Sequence, residues 1–62
     1  MINLRAVVLH DRMKKGLTQK QLAERAGVSS STVTNIEAGR NVRWREAMQV
    51  LEVLGYEVSK WS

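Results

Sequence analysis

The stretch TQKQLAERAGVSSSTVTNIEAGR, Thr18 to Arg40, decides how this chain folds. Thr18 stands three residues before Gln21, the spacing at which each side chain satisfies the other's free backbone N–H at a helix start. Leu17 just before Thr18 is placed to staple onto Leu22, and Leu22, Ala23 and Ala26 form a short apolar face. That helix stops at Gly27, where glycine alone enters the left-handed region without steric cost. Ser29 is an N-cap for the next helix, in which Val33 and Ile36 point inward and Ser30, Ser31, Thr34 and Asn35 point outward. Ala23 is small where two helices must cross closely, and Val33 with Ile36 locks the second of them onto the first.

Working outward, the remaining glycines, Gly16, Gly39 and Gly55, each follow a segment of helical periodicity. The spacing predicts helices over about residues 3–15, 18–26, 29–38 and 44–54. In the first, Leu4, Val7, Val8 and Asp11 share one face, and Ile2, Ala6, Leu9 and Met13 form a second stripe nearly opposite. Two apolar faces call for two neighbours, and the second stripe is expected to meet either a second copy or the chain's own final strand. The last helix carries Glu46 in its first turn and buries Ala47, Met48, Val50, Leu51 and Leu54, with Trp44 expected in the core at its start. After Gly55, the β-formers Tyr56, Val58 and Trp61 predict a strand over about residues 56–60. A lone strand leaves its edges unpaired, so pairing with the same strand of a second copy is expected, through Tyr56, Val58, Lys60 and Trp61.

The chain has 62 residues, enough for one small domain, spanning 1–62, with a single core. A hydrophobic content of 44 % with 26 % charged residues is that of a folded soluble chain. Apolar runs such as Val7 to Leu9 fall far short of the ~20 residues that cross a bilayer. With no leader-like start, a cytoplasmic location away from membranes is expected. No cysteine and one histidine, His10, leave no disulfide or zinc framework, and neither a metal nor a cofactor is expected. Ten Lys and Arg against six Asp and Glu give a net charge of +4, which favours an anionic partner. His10, Lys14, Lys15, Lys20 and Arg25 are read as ordinary surface groups.

Over Gln19, Ala23, Gly27, Val33 and Ile36 the sequence resembles the lambda-repressor and Cro-like (XRE-type) helix-turn-helix family, and the resemblance covers nearly the whole chain. It implies a mainly α, four-helix DNA-binding domain. The ending GYEVSKWS is similar to the short antitoxin-like and phage-regulator members, in which a terminal strand builds the dimer. The resemblance places the third helix in the major groove, with Ser30, Ser31 and Asn35, and Thr34 as a fourth, reading bases. Asn pairs bidentately with adenine, whereas serine hydroxyls discriminate less sharply. By the same resemblance Gln19, Ser29 and Thr32 lie at helix starts that bind phosphate, and Arg40, Asn41, Arg43 and Arg45 border the sugar-phosphate backbone. Arg12 and Glu37 match a structural ion pair.

The expected function is a homodimeric, sequence-specific repressor binding double-stranded DNA at an inverted repeat. The alternative is an antitoxin that sequesters a toxin protein and regulates its own operon. The narrow major groove of A-form RNA argues against an RNA ligand. An enzyme is not expected, because the chain has no nucleophile-base set, no paired carboxylates in a cleft and no phosphate-cradling glycine loop.

Overall fold

The computed structural model describes residues 3–57. Four helices follow in order: α1 (Leu4–Lys14), α2 (Gln19–Ala26), α3 (Ser30–Glu37) and α4 (Trp44–Val53). Three of them begin on a side-chain cap: Asn3 accepts from the Ala6 N–H, Thr18 and Gln21 form the reciprocal capping box, and Ser29 accepts from the Thr32 N–H. The start of α4 at Arg43 has no side-chain cap.

All four helices end in one pattern. The N–H groups of Leu17, Val28, Arg40 and Tyr56 donate to the carbonyls of Arg12, Ala23, Asn35 and Leu51, each closing a turn around a glycine of positive φ. This is the Schellman motif, which satisfies the otherwise free carbonyls of the last turn. At Gly27, φ is 72°, a conformation a side chain would strain, and the reversal there sends α3 back across α2.

The core is contributed by every helix: Val8 from α1, Leu22, Ala23 and Ala26 from α2, Val33 and Ile36 from α3, and Ala47, Val50 and Leu51 from α4, with Leu17 and Leu54 from the helix ends. Helix α3 packs against α1, α2 and α4 together, and so is the element around which the others are arranged. Burying a side chain the size of Leu22 or Leu51 contributes about 1.5–3 kcal/mol. For a domain this small, losing one such group removes a large part of the total stability.

Three expectations are corrected. The four-helix, mainly α architecture carries no strand among the described residues, although one was expected to begin at Tyr56. Tyr56 is turned inward: its N–H closes the end of α4 on Leu51, and its hydroxyl donates to Asp11 Oδ2 on α1. The Tyr56 N–H and hydroxyl are both spent within the same molecule, so neither is offered to a second copy. The expected strand-built dimer through Tyr56, Val58, Lys60 and Trp61 therefore fails where it was to start; Val58, Lys60 and Trp61 lie outside the described residues. Of the second stripe of α1, Ala6 and Leu9 are exposed and Met13 is 65 % exposed, and Ile2 lies outside the described residues. Trp44 is 51 % exposed and not a core plug, because Ala47, Val50 and Leu51 already fill the inner face of α4.

Candidate nucleic-acid interface

The outward face of α3 is polar because its inward face takes all of its apolar residues. Val33 and Ile36 are buried, and Ser30, Ser31 and Thr34 are exposed with Asn35 half-buried beside them. A helix gripped on its inner side by three others presents these side chains from a rigid base.

Three side chains of this face, Ser31, Thr34 and Asn35, have hydrogen-bond partners. The Thr34 hydroxyl lies 3.0 Å from Gln19 Oε1 and 3.1 Å from the Ser30 carbonyl oxygen, and its one proton is shared between them. Asn35 Oδ1 accepts from Arg40 Nη1 at 3.3 Å. At the start of the helix, Ser29 Oγ accepts from the Thr32 N–H at 3.3 Å and lies 2.9 Å from Ser31 Oγ and 3.1 Å from Thr32 Oγ1. Ser29 is exposed, but Thr32 is buried, so Thr32 sits where it orients Ser29 and not at the surface.

Gln19 joins this face to the interior. Its Nε2 donates to Glu37 Oε1 at 2.9 Å while its Oε1 accepts from Thr34. Glu37 in turn receives Arg12 Nε at 2.7 Å and Nη2 at 3.1 Å, and Arg12 Nη1 donates to the Leu17 carbonyl at 2.7 Å. Arg12 and Glu37 are thus brought together as a two-pronged pair, with side chains 15 % and 7 % exposed. For Glu37, burial is the largest single influence and opposes ionisation. The hydrogen bonds from Arg12 and Gln19 and the charge of Arg12 together outweigh it, and the carboxyl is held below its ordinary value. The hydrogen bond to Glu37 chiefly raises Arg12, against the opposing effect of burial.

Arg40, Asn41, Arg43 and Arg45 are all exposed on the segment that leaves α3 and enters α4. One basic residue was missed by sequence reasoning. Arg5 of α1 is exposed, and its side chain lies over Gly39, with Cδ 3.5 Å from where a Cβ would stand. The available signal was its spacing to Arg12: seven residues apart on a helix, the two share a face, and Arg12 faces the end of α3. With Arg5 included, the loop after α3 carries positive charge from two separate elements.

A helix-turn-helix family model matches residues 10–61, which includes both crossing helices, the outward face of α3 and the basic loop. The chain belongs to the helix-turn-helix family. No curated protein and no solved structure matches it. As a four-helix, XRE/Cro-type helix-turn-helix domain it is a DNA-binding regulatory module, and domains of this family are not catalysts. Among the described residues of this helix-turn-helix domain no cluster of His, Cys, Asp or Glu is suited to a metal ion, and no helix is long and apolar enough to cross a membrane.

Proposed function

We propose that the chain is a sequence-specific transcriptional repressor that inserts α3 into the major groove, two copies occupying the halves of an inverted repeat. The observation that carries this reading is the division of α3: Val33 and Ile36 are buried against three other helices, and Ser30, Ser31, Thr34 and Asn35 are left on one accessible face. In this reading Ser29, at the exposed start of α3, and Gln19, at the start of α2, bind phosphate, and the buried Thr32 acts by orienting Ser29. Arg40, Asn41, Arg43 and Arg45 line the sugar-phosphate backbone, joined by Arg5. Serine readers discriminate weakly, so a single half-site offers little selectivity, and two half-sites about one helical turn (~34 Å) apart supply the rest.

Charge placement supports the same reading. Arg43 and Arg45 stand at the cap and in the first turn of α4, the end at which a helix dipole disfavours positive charge. Charges set against the local preference of the fold are accounted for by an anionic partner alongside. The antitoxin alternative was motivated by the likeness of the ending GYEVSKWS to antitoxin-like members, and no observation among the described residues favours it, so only the repressor reading is carried forward.

The test is selection of bound sites from random duplex DNA, followed by gel shifts on the enriched sequence. Expected are a palindromic site, binding that weakens steeply with added salt, and loss of discrimination at one base position for Asn35→Ala with an unchanged melting temperature. Equal binding of all duplexes, or an Asn35→Ala protein with an unaltered motif, removes Asn35 from the readers.

A further inference from the structure

The end of α3 differs from the other helix ends in the residue that follows its glycine. After α1, α2 and α4 that residue is Leu17, Val28 or Tyr56, and each is packed into or against the core. After α3 it is Arg40, which is exposed. The turn sets residue 40 beside residue 35, because the Arg40 N–H donates to the Asn35 carbonyl at 2.9 Å. From there Arg40 Nη1 reaches Asn35 Oδ1 at 3.3 Å. A guanidinium has donors only, so the carboxamide must turn its oxygen toward Arg40 and its NH2 group away.

We propose that Arg40 is a specificity-determining residue: by occupying one lone pair of Asn35 Oδ1 and adding its own N–H groups beside the Asn35 NH2, it makes the pair a donor-rich reader that favours guanine over adenine. The proposal rests on the reading that α3 enters the major groove. A free Asn suits adenine, accepting from N6–H and donating to N7. With the oxygen engaged by Arg40, the pair offers the Asn35 NH2 and the remaining guanidinium N–H groups. Guanine presents two acceptors, N7 and O6, to such a donor-rich set, while adenine presents only N7 as an acceptor and sets its N6 donor toward a group in which one acceptor site is already taken. Asn35 alone was expected to read adenine and Arg40 to touch only phosphate; the hydrogen bond between them alters both roles.

The experiment is site selection from random duplex DNA by the full chain and by Asn35→Ala, Arg40→Ala and Arg40→Lys. The position read by Asn35 is the one whose preference changes most in Asn35→Ala. The wild-type protein is expected to enrich guanine there. In Arg40→Ala the guanine-to-adenine ratio should fall about tenfold or more, within the range a bidentate contact supplies. Arg40→Lys keeps the charge but loses the planar fork, so its preference should weaken while affinity across all sequences is largely kept. Because Arg40 is exposed, both Arg40 variants are expected to melt with the wild type, and Arg40→Lys carries the test should Arg40→Ala fail to fold. Adenine at that position in the wild type overturns the proposal. So does an Arg40→Ala protein with an unchanged motif and a salt slope lowered by about one, the behaviour of a phosphate contact. If the wild type enriches no sequence at all, the groove reading itself falls and this proposal with it; enrichment of a site without the guanine overturns this proposal alone.

Discussion

Glu37 concentrates much of what this small domain stakes on single residues. Its carboxylate receives Arg12 twice and Gln19 once, in surroundings that leave its side chain 7 % exposed. Removing it leaves the Arg12 guanidinium near the interior with only the Leu17 carbonyl as a partner. Glu37→Ala is therefore expected to lower unfolding free energy in urea by about 1–3 kcal/mol, the cost of leaving a part-buried charged group without its partner. The pH dependence has a definite sign. The folded carboxyl is held below its ordinary value, so its contribution is complete above the unfolded pKa and is lost as pH falls through the folded one. Compared with Glu37→Gln, which does not titrate, the wild type should lose its advantage progressively on acidification below about pH 4.3. Asp11 is lowered too, chiefly by the Tyr56 hydroxyl, so the glutamine variant should still show a residual acid limb. The Arg12–Glu37 pairing was legible only through family resemblance, and the Gln19–Glu37 and Gln19–Thr34 contacts were not legible at all. They join side chains from separate helices whose relative placement no local spacing encodes.

At the scale of elements, the glycine-closed turns decide where one helix stops and the next can begin. Gly27 permits a clean test, because it sits between the two crossing helices and nothing lies within 4 Å of where a Cβ would stand. A substitution there meets no clash, and its cost is that of the left-handed backbone alone. Gly27→Ala is expected to destabilise by about 1–2 kcal/mol in urea unfolding, and Gly27→Asn by less, since Asn tolerates this conformation. Equal stability of all three proteins would mean that the reversal between α2 and α3 does not depend on the left-handed turn. Caps and turns were readable from sequence because each is settled within a few residues, as Thr18 with Gln21 illustrates. The second stripe of α1 shows the limit of such local reading. Periodicity shows that Ala6, Leu9 and Met13 share a face, but whether a neighbour covers that face depends on the packing of the whole chain.

For the molecule as a whole, the arrangement of charge matters more than its sum. Arg40, Arg43 and Arg45 follow α3 directly, and Arg5 reaches the same loop from α1. Arg45→Ala is expected to act in opposite directions on stability and binding. Removing positive charge from the first turn of α4 should stabilise the fold by about 0.3 kcal/mol. Losing a phosphate contact should weaken binding to every duplex alike and reduce the salt slope by about one. Thermal melts and salt-dependent gel shifts measure the two effects separately. A variant that binds as tightly as the wild type at all salt concentrations would place Arg45 away from the DNA.

The helix-turn-helix between Thr18 and Arg40 was determined by the sequence itself. Its capping box, its turn glycine and its division into apolar and polar faces are local features, each governed by backbone geometry over a few residues. The tertiary structure decided what crosses between elements. It turned Tyr56 inward onto Asp11 where a strand was expected, left Trp44 and one face of α1 exposed, and laid Arg5 over Gly39. It also set Arg40 against Asn35. Each of these depends on which surfaces of the folded chain already have a partner, and that is a property of the assembled packing, not of any short segment.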